Sequence, residues 1–256
     1  MNPDIAACAG IVQKGDPDRF LAIMSGPLHL REKLFPLYAM NVEVARAPWV
    51  TQESMIAEMR LQWWRDALEE IAKGGEVRRH EVVTPLSEVL NSKQAEALYV
   101  LVEARRWDIY KDPFEDVAAF QTHLDDTAGV LLAVAAELAG ASETQHIQTV
   151  GRVDGLARWF QAIPALEAQG RIPLVDGRAS AVAELAKEAL ADFKMARVEI
   201  GRVDRDVAAV LRLTWQSSSL LKQAMKNPNV VQEGNLYNGE FRNKFSLLWK
   251  SLNANW

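Results

Sequence analysis

Apolar residues recur at helical spacing along almost the whole chain, and no stretch alternates apolar and polar residues long enough to make a strand. That pattern confines the chain to packed helices. Leu30, Leu34, Leu37 and Met40, near i, i+4, i+7 and i+10, predict one helix from Pro27 to about Ala47. Pro48 ends it, because proline removes a backbone donor and restricts the residue before it. Thr51 is the expected N-cap of the next helix, which runs to about Lys73, where Gly74-Gly75 supply a left-handed stop. A helix from about Lys93 to Tyr110 follows. In Asp112-Pro113-Phe114-Glu115 an acid cap, a first-turn proline and a glutamate predict a helix start, with the helix running to about Ala139 and Gly140 after it. Ser142-x-x-Gln145 opens another, to about Gln169. Asp176 to Ile200, Asp204 to Lys226 and Asn238 to Asn253 complete the set. Asp176-Gly177 and Asn238-Gly239 precede helices and do not join two β-like runs. The expected fold class is an all-α bundle.

A bundle of this kind needs enough apolar side chain for a core, and 256 residues at 49% hydrophobic and 25% charged provide it. No Pro/Gly/Ser-rich linker and no internal period divides the chain, so residues 1–256 read as one domain. A formal net charge of -5 argues against nucleic acid as a partner, since its binders carry a basic face. The single cysteine, Cys8, excludes an intrachain disulfide and an all-cysteine metal site. Cys8 is expected in a mobile N-terminal region, with no catalytic partner implied. No secretory signal is read at the N-terminus. The best apolar run, Thr127 to Ala136, is closed by Asp126 and Glu137, far short of the roughly 20 residues a transmembrane helix needs. The expectation is a soluble, cytoplasmic protein, at most peripheral on an inner membrane.

Five blocks carry more than composition. They are Asp18-Arg19-Phe20-Leu21-Ala22, Leu37-Tyr38-Ala39-Met40-Asn41-Val42-Glu43-Val44-Ala45-Arg46, Arg60-Leu61-Gln62-Trp63-Trp64-Arg65-Asp66-Ala67-Leu68, Thr127-Ala128-Gly129 and Gly170-Arg171-Ile172-Pro173-Leu174. In order and approximate spacing they resemble the squalene/phytoene synthase family, most strongly from about Asp16 to Val175. The resemblance implies the single-domain helical bundle of the trans-isoprenyl diphosphate synthases. It also implies a chemistry: two acidic motifs on facing helices clamp Mg²⁺ ions, which hold and neutralise the leaving diphosphate. Magnesium suits carboxylate and phosphate oxygens, and two aspartates four apart on a helix reach one ion cluster.

By that resemblance the first acidic motif falls at Ala45, Arg46 and Trp49, with Pro48 among them. The second falls in Ala162-Ile163-Pro164-Ala165-Leu166, preceded by Gly155, Arg158 and Gln161. Neither stretch holds a carboxylate. Glu43 and Glu167 lie nearby and could each recruit one cation weakly. The resemblance therefore points to the non-catalytic branch of the family, which includes a mitochondrial respiratory complex I assembly factor. It implies a protein partner, either a respiratory complex subunit or an assembly intermediate, and no cofactor. Tyr38, Asn41, Arg46, Arg60, Gln62, Trp64, Gly129, Arg158 and Arg171 are the expected lining of a residual cavity that takes a lipid or isoprenoid. Arg46 there would repel Mg²⁺ and could hold a phosphate or carboxylate. The alternative is an active prenyltransferase with Mg²⁺ on divergent acids, for which Glu43, Asp125, Asp126 and Glu167 are the catalytic candidates.

Other patterns have plainer readings. Asp112-x-x-x-Asp116 repeats the lost spacing but reads as a cap and a first-turn acid. Asp66, Glu69, Glu70 and Lys73, and Glu184, Lys187 and Glu188, read as solvated faces. Trp63 and Trp64 read as core anchors, with Arg60 and Arg65 pairing to acids such as Glu58, Asp66 or Glu69. His29, His80, His123 and His146 show no ligand spacing. Phe241, Phe245, Leu248 and Leu252 form one stripe beside the basic Arg242, Lys244 and Lys250. That stripe is expected to pack on the bundle; an anionic membrane surface is its other expected partner.

Overall fold

The computed structural model describes residues 3–51, 53–253 and 256, without the side chains of 240 and 242. The described residues are all-α, with no strand among them. The helices are α1 (Pro3–Gly15), α2 (Pro17–Met24), α3 (Leu28–Arg46), α4 (Ser54–Lys73), α5 (Val83–Val89), α6 (Ser92–Ala104) and α7 (Val117–Leu124). They continue as α8 (Val130–Leu138), α9 (Gln145–Ala168), α10 (Ala179–Ile200), α11 (Arg205–Leu211), α12 (Ser217–Lys226), α13 (Asn229–Gln232) and α14 (Glu240–Leu252). No helix of the described residues is long and apolar enough to cross a membrane.

The chain gathers into two compact units, each drawn from three separate stretches. One holds residues 1–110, 134–142 and 204–213; the other holds 111–133, 143–203 and 214–256. In the first, α1 packs along α3, and α4 pairs with α6. Its core includes Phe35, Leu37, Tyr38, Met40, Leu61, Leu68 and Leu98, all essentially sealed from solvent. Each such side chain contributes about 2 kcal/mol by leaving water. In the second unit α10 packs along α9 and α12, and α9 crosses the segment between α7 and α8. Phe120, Val150, Phe160 and Ile163 are its centre.

Several local expectations need correction. The N-terminal region is the helix α1 with Cys8 fully buried, because Ile5, Cys8, Ala9 and Val12 form an apolar face that α3 covers. Thr51 does not cap α4: its hydroxyl accepts from the Glu53 backbone N–H in the preceding turn, and Glu53 holds the cap position. The Asp112-Pro113 start is also displaced. The cap is Asp116, whose carboxylate accepts from Ala119 N at 2.7 Å, and α7 begins at Val117. Phe114 explains the shift, since it is buried among Phe120, His123 and Trp159, with ring centroids 5.1 to 5.8 Å away. Those contacts hold residues 112–114 in a non-helical conformation, which outweighs a cap worth about 1 kcal/mol. The stretch expected as one helix from 204 to 226 breaks at a 3₁₀ turn, Arg212–Thr214. The aromatic stripe of α14 faces outward and does not pack on the bundle: Phe241, Phe245, Leu248 and Leu252 are all exposed.

Candidate functional site

In the first unit, α3 carries Tyr38, Asn41, Glu43 and Arg46 along its second half. Tyr38 is buried, and the Arg19 guanidinium lies over its ring at 5.3 Å from the centroid. Arg19 is itself buried and is held by Asp16, the α2 cap, at 2.9 Å. Asn41 is buried as well. Arg46 is exposed and lies 3.5 Å from Glu43, so this cation and this acid meet each other at the surface. Such a pair is worth little in water.

The block on α4 divides by face. Trp64 is buried and stands edge-on to Trp63 and His80. Gln62 is exposed and donates to Asp66 at 2.6 Å; Arg60 is exposed. Arg65 pairs with Glu103 on α6 and lies over the Tyr99 ring, so its acid is not one of those on α4. The sequence reading missed Arg78, which lies over Trp63 and donates from Nε to Glu70 Oε2 at 3.0 Å. That hydrogen bond holds the Glu70 carboxyl below its ordinary range. Glu70 is thus a structural partner and not part of a free solvated face. The ring face of Trp63 was the available signal, because an indole face attracts a cation.

In the second unit the acids at 125 and 126 lie on a π-helical turn, Asp125–Gly129, between α7 and α8. Arg152 on α9 bridges Asp125 at 2.9 Å and Asp192 on α10 at 3.0 Å. Asp126 is half-buried, and burial together with the Asp125 charge pushes its carboxyl pKa up. Gly129 faces α9 closely: a Cβ there would lie 2.9 Å from Gln148 Cγ. A Cβ at Gly151 would lie 2.6 Å from the Ala128 carbonyl oxygen. The π turn thus sits where two backbones nearly touch. Arg158 donates to Asp154 at 2.9 Å, and the buried Ser217 hydroxyl donates to the other oxygen of Asp154 at 2.6 Å.

Glu167 and Arg171 meet at one small cavity of about 170 Å³, lined also by Ile163, Pro173, Leu174 and Val182. Arg171 is buried and Glu167 exposed, so the acid stands at the mouth. A larger cavity of about 320 Å³ lies between α7, α9 and α10. Phe120, Leu124, Val153, Leu156 and Leu185 make it apolar, with Arg152, Asp192 and Glu188 at its polar edge. No sequence signal marked it, because its apolar residues obey the same period as the core.

A Mg²⁺ cluster needs several carboxylates aimed at one point. Among the described residues no three His, Cys, Asp or Glu side chains gather so as to hold a metal ion. Glu43 is turned to Arg46, and Asp125 to Arg152. The described donor set does not fit that cluster.

The fold identifies a class. A crystal structure of a dehydrosqualene synthase in complex with ligand aligns with a TM-score of 0.77, covering 98% of this chain and 96% of that one at 15% identity. The protein therefore has the all-α isoprenoid synthase fold. The sequence model of squalene/phytoene synthase matches residues 12–175, well over half of the chain. This chain belongs to the squalene/phytoene synthase family. Among curated relatives, an assembly factor 6 homolog of NADH dehydrogenase (ubiquinone) complex I from Drosophila melanogaster is 28% identical over 170 residues, covering 61% of this chain and 50% of the relative. The Homo sapiens assembly factor 6 of the same complex is 22% identical over 161 residues, covering 61% and 48%. The chain spans about half the length of these relatives.

Proposed function

We propose that this protein is a non-catalytic member of its family and assists the assembly of a respiratory NADH dehydrogenase through a protein partner. The observation that carries the reading is the similarity to complex I assembly factors. Two features of the chain support it. The positions that resemble the two metal motifs hold Ala45, Arg46, Trp49 and the run Ala162–Leu166, with no carboxylate. Two of the four acids that could stand in for them are engaged elsewhere, Glu43 by Arg46 and Asp125 by Arg152. Charge reversal at 46 disfavours a divalent cation there. In this reading no cofactor is required, and the apolar cavities of the helical fold are the places for a lipid or isoprenoid tail.

The test is removal of the protein from cells that make an NADH dehydrogenase. The reading predicts loss of the assembled complex on a native gel, restored by the full chain and equally by a Glu43→Gln variant. Normal assembly without the protein, together with a changed isoprenoid profile, would contradict it and favour a prenyltransferase.

A further inference from the structure

We infer that the outer face of α14 docks onto the surface of an anionic lipid bilayer. The face is built from Phe241, Phe245, Leu248, Trp249 and Leu252, at i, i+4, i+7, i+8 and i+11, which is one stripe of a helix. Burial would be the default for such a stripe, yet Phe241 is 85% exposed and Trp249 62% exposed. Tyr237, just before the helix, is exposed as well.

The stripe is ordered by what lies behind it. Leu247, on the opposite side of α14, is buried. Asn243 Nδ2 donates to Gln216 Oε1 at 3.3 Å. Beyond the helix, Trp256 is buried, stands edge-on to Phe193 of α10 and lies under the Arg197 guanidinium. On the outer side the rings stack on one another, Phe241 on Phe245 at 6.3 Å and Phe245 on Trp249 at 6.5 Å. A helix held from behind with aromatic rings stacked in front presents a preformed apolar ridge, and little side-chain order remains to be lost on docking.

Charge selects the occupant. The chain carries a net -5, yet α14 carries Arg242, Lys244 and Lys250 against one acid, Glu240. A basic helix with a ridge of Phe, Trp and Leu is the pattern that lies in the headgroup region of an anionic membrane. There its apolar face enters the acyl boundary and Lys244, which flanks the ridge, meets phosphate, whereas Lys250 falls on the inner side with Leu247 and Asn243. Trp and Tyr favour that depth because their rings are apolar at one end and polar at the other. This inference goes beyond the assembly role and stands without it, because it uses only α14 and what holds it.

The experiment is sedimentation of the full chain with vesicles of phosphatidylcholine alone or with one-third phosphatidylglycerol. Wild type is expected to bind the anionic vesicles and to release as salt rises, because exposed charges are screened. Phe245→Glu and Trp249→Glu together should lower the partition by about tenfold or more while leaving the thermal midpoint unchanged, since both positions are exposed. Lys244→Glu should weaken binding to anionic vesicles selectively. Failure of wild type to bind anionic vesicles, or full binding by the double variant, would overturn the inference. A wild-type dimer that the double variant converts to monomer would also overturn it, by assigning the ridge to a second copy of this chain.

Discussion

Cys8 shows how far burial can change one side chain. Its thiol donates to the Glu81 carbonyl at 3.4 Å, and burial, reinforced by Glu81 and Asp4, pushes its pKa from 9.0 to about 12. The folded state keeps its proton between those values and the unfolded chain releases it. The thiol's contribution to stability is therefore complete below pH 9 and is lost as pH climbs from 9 toward 12. A thiol reagent at pH 8 should label Cys8 only in denaturant; prompt labelling of the native protein would contradict the burial. Asp154 is the second residue of this kind. It is buried and accepts from both Ser217 and Arg158. Asp154→Ala should lower stability by about 2 kcal/mol in urea unfolding, because it removes the buried acceptor that joins Ser217 to the Arg158 charge. Little of this was legible in the sequence. Asp154 carries no motif, and the four-residue spacing to Arg158 is common on any helix.

Elements were more legible than residues. The helical period, the Gly74 stop and the Gly140 stop fall where spacing and glycine predict, both glycines having positive φ. What failed was capping, and for a physical reason: local cap preference is worth about 1 kcal/mol, whereas Phe114 enters an aromatic cluster. Asp116→Ala should thus cost about 1 kcal/mol by thermal unfolding, and Asp112→Ala close to nothing. Equal losses would return the cap to Asp112. The π turn at Asp125–Gly129 was also invisible, because α- and π-helical turns use the same residues. Glycine was its only trace. Gly151→Ala would drive a methyl against the Ala128 carbonyl oxygen at 2.6 Å and the Gly129 Cα at 2.8 Å, both backbone atoms that cannot swing away. A loss of about 2 kcal/mol or more is expected. An unchanged thermal midpoint in that variant would show that the two helices can separate freely. The α14 stripe teaches the converse lesson. Helical period finds an apolar face but does not say whether protein covers it, and here solvent does.

At the scale of the whole molecule, the fold class and family were readable because the family's blocks keep their order across residues 12–175. The two compact units were not, since each is assembled from three distant stretches with no linker between them. By resemblance, the family's metal positions fall at Ala45, Arg46, Trp49 and the run Ala162–Leu166, none of which is a carboxylate. The proposed function requires that the fold persist without the metal site, which is physically open to it because packing and metal binding use different residues. The most direct measurement is turnover. The purified chain is incubated with farnesyl and geranylgeranyl diphosphate and Mg²⁺, with released diphosphate and hydrocarbon product measured beside an active synthase. The account predicts none above background, with or without EDTA. Product that forms with Mg²⁺ and disappears with EDTA would contradict it and return the protein to the prenyltransferases.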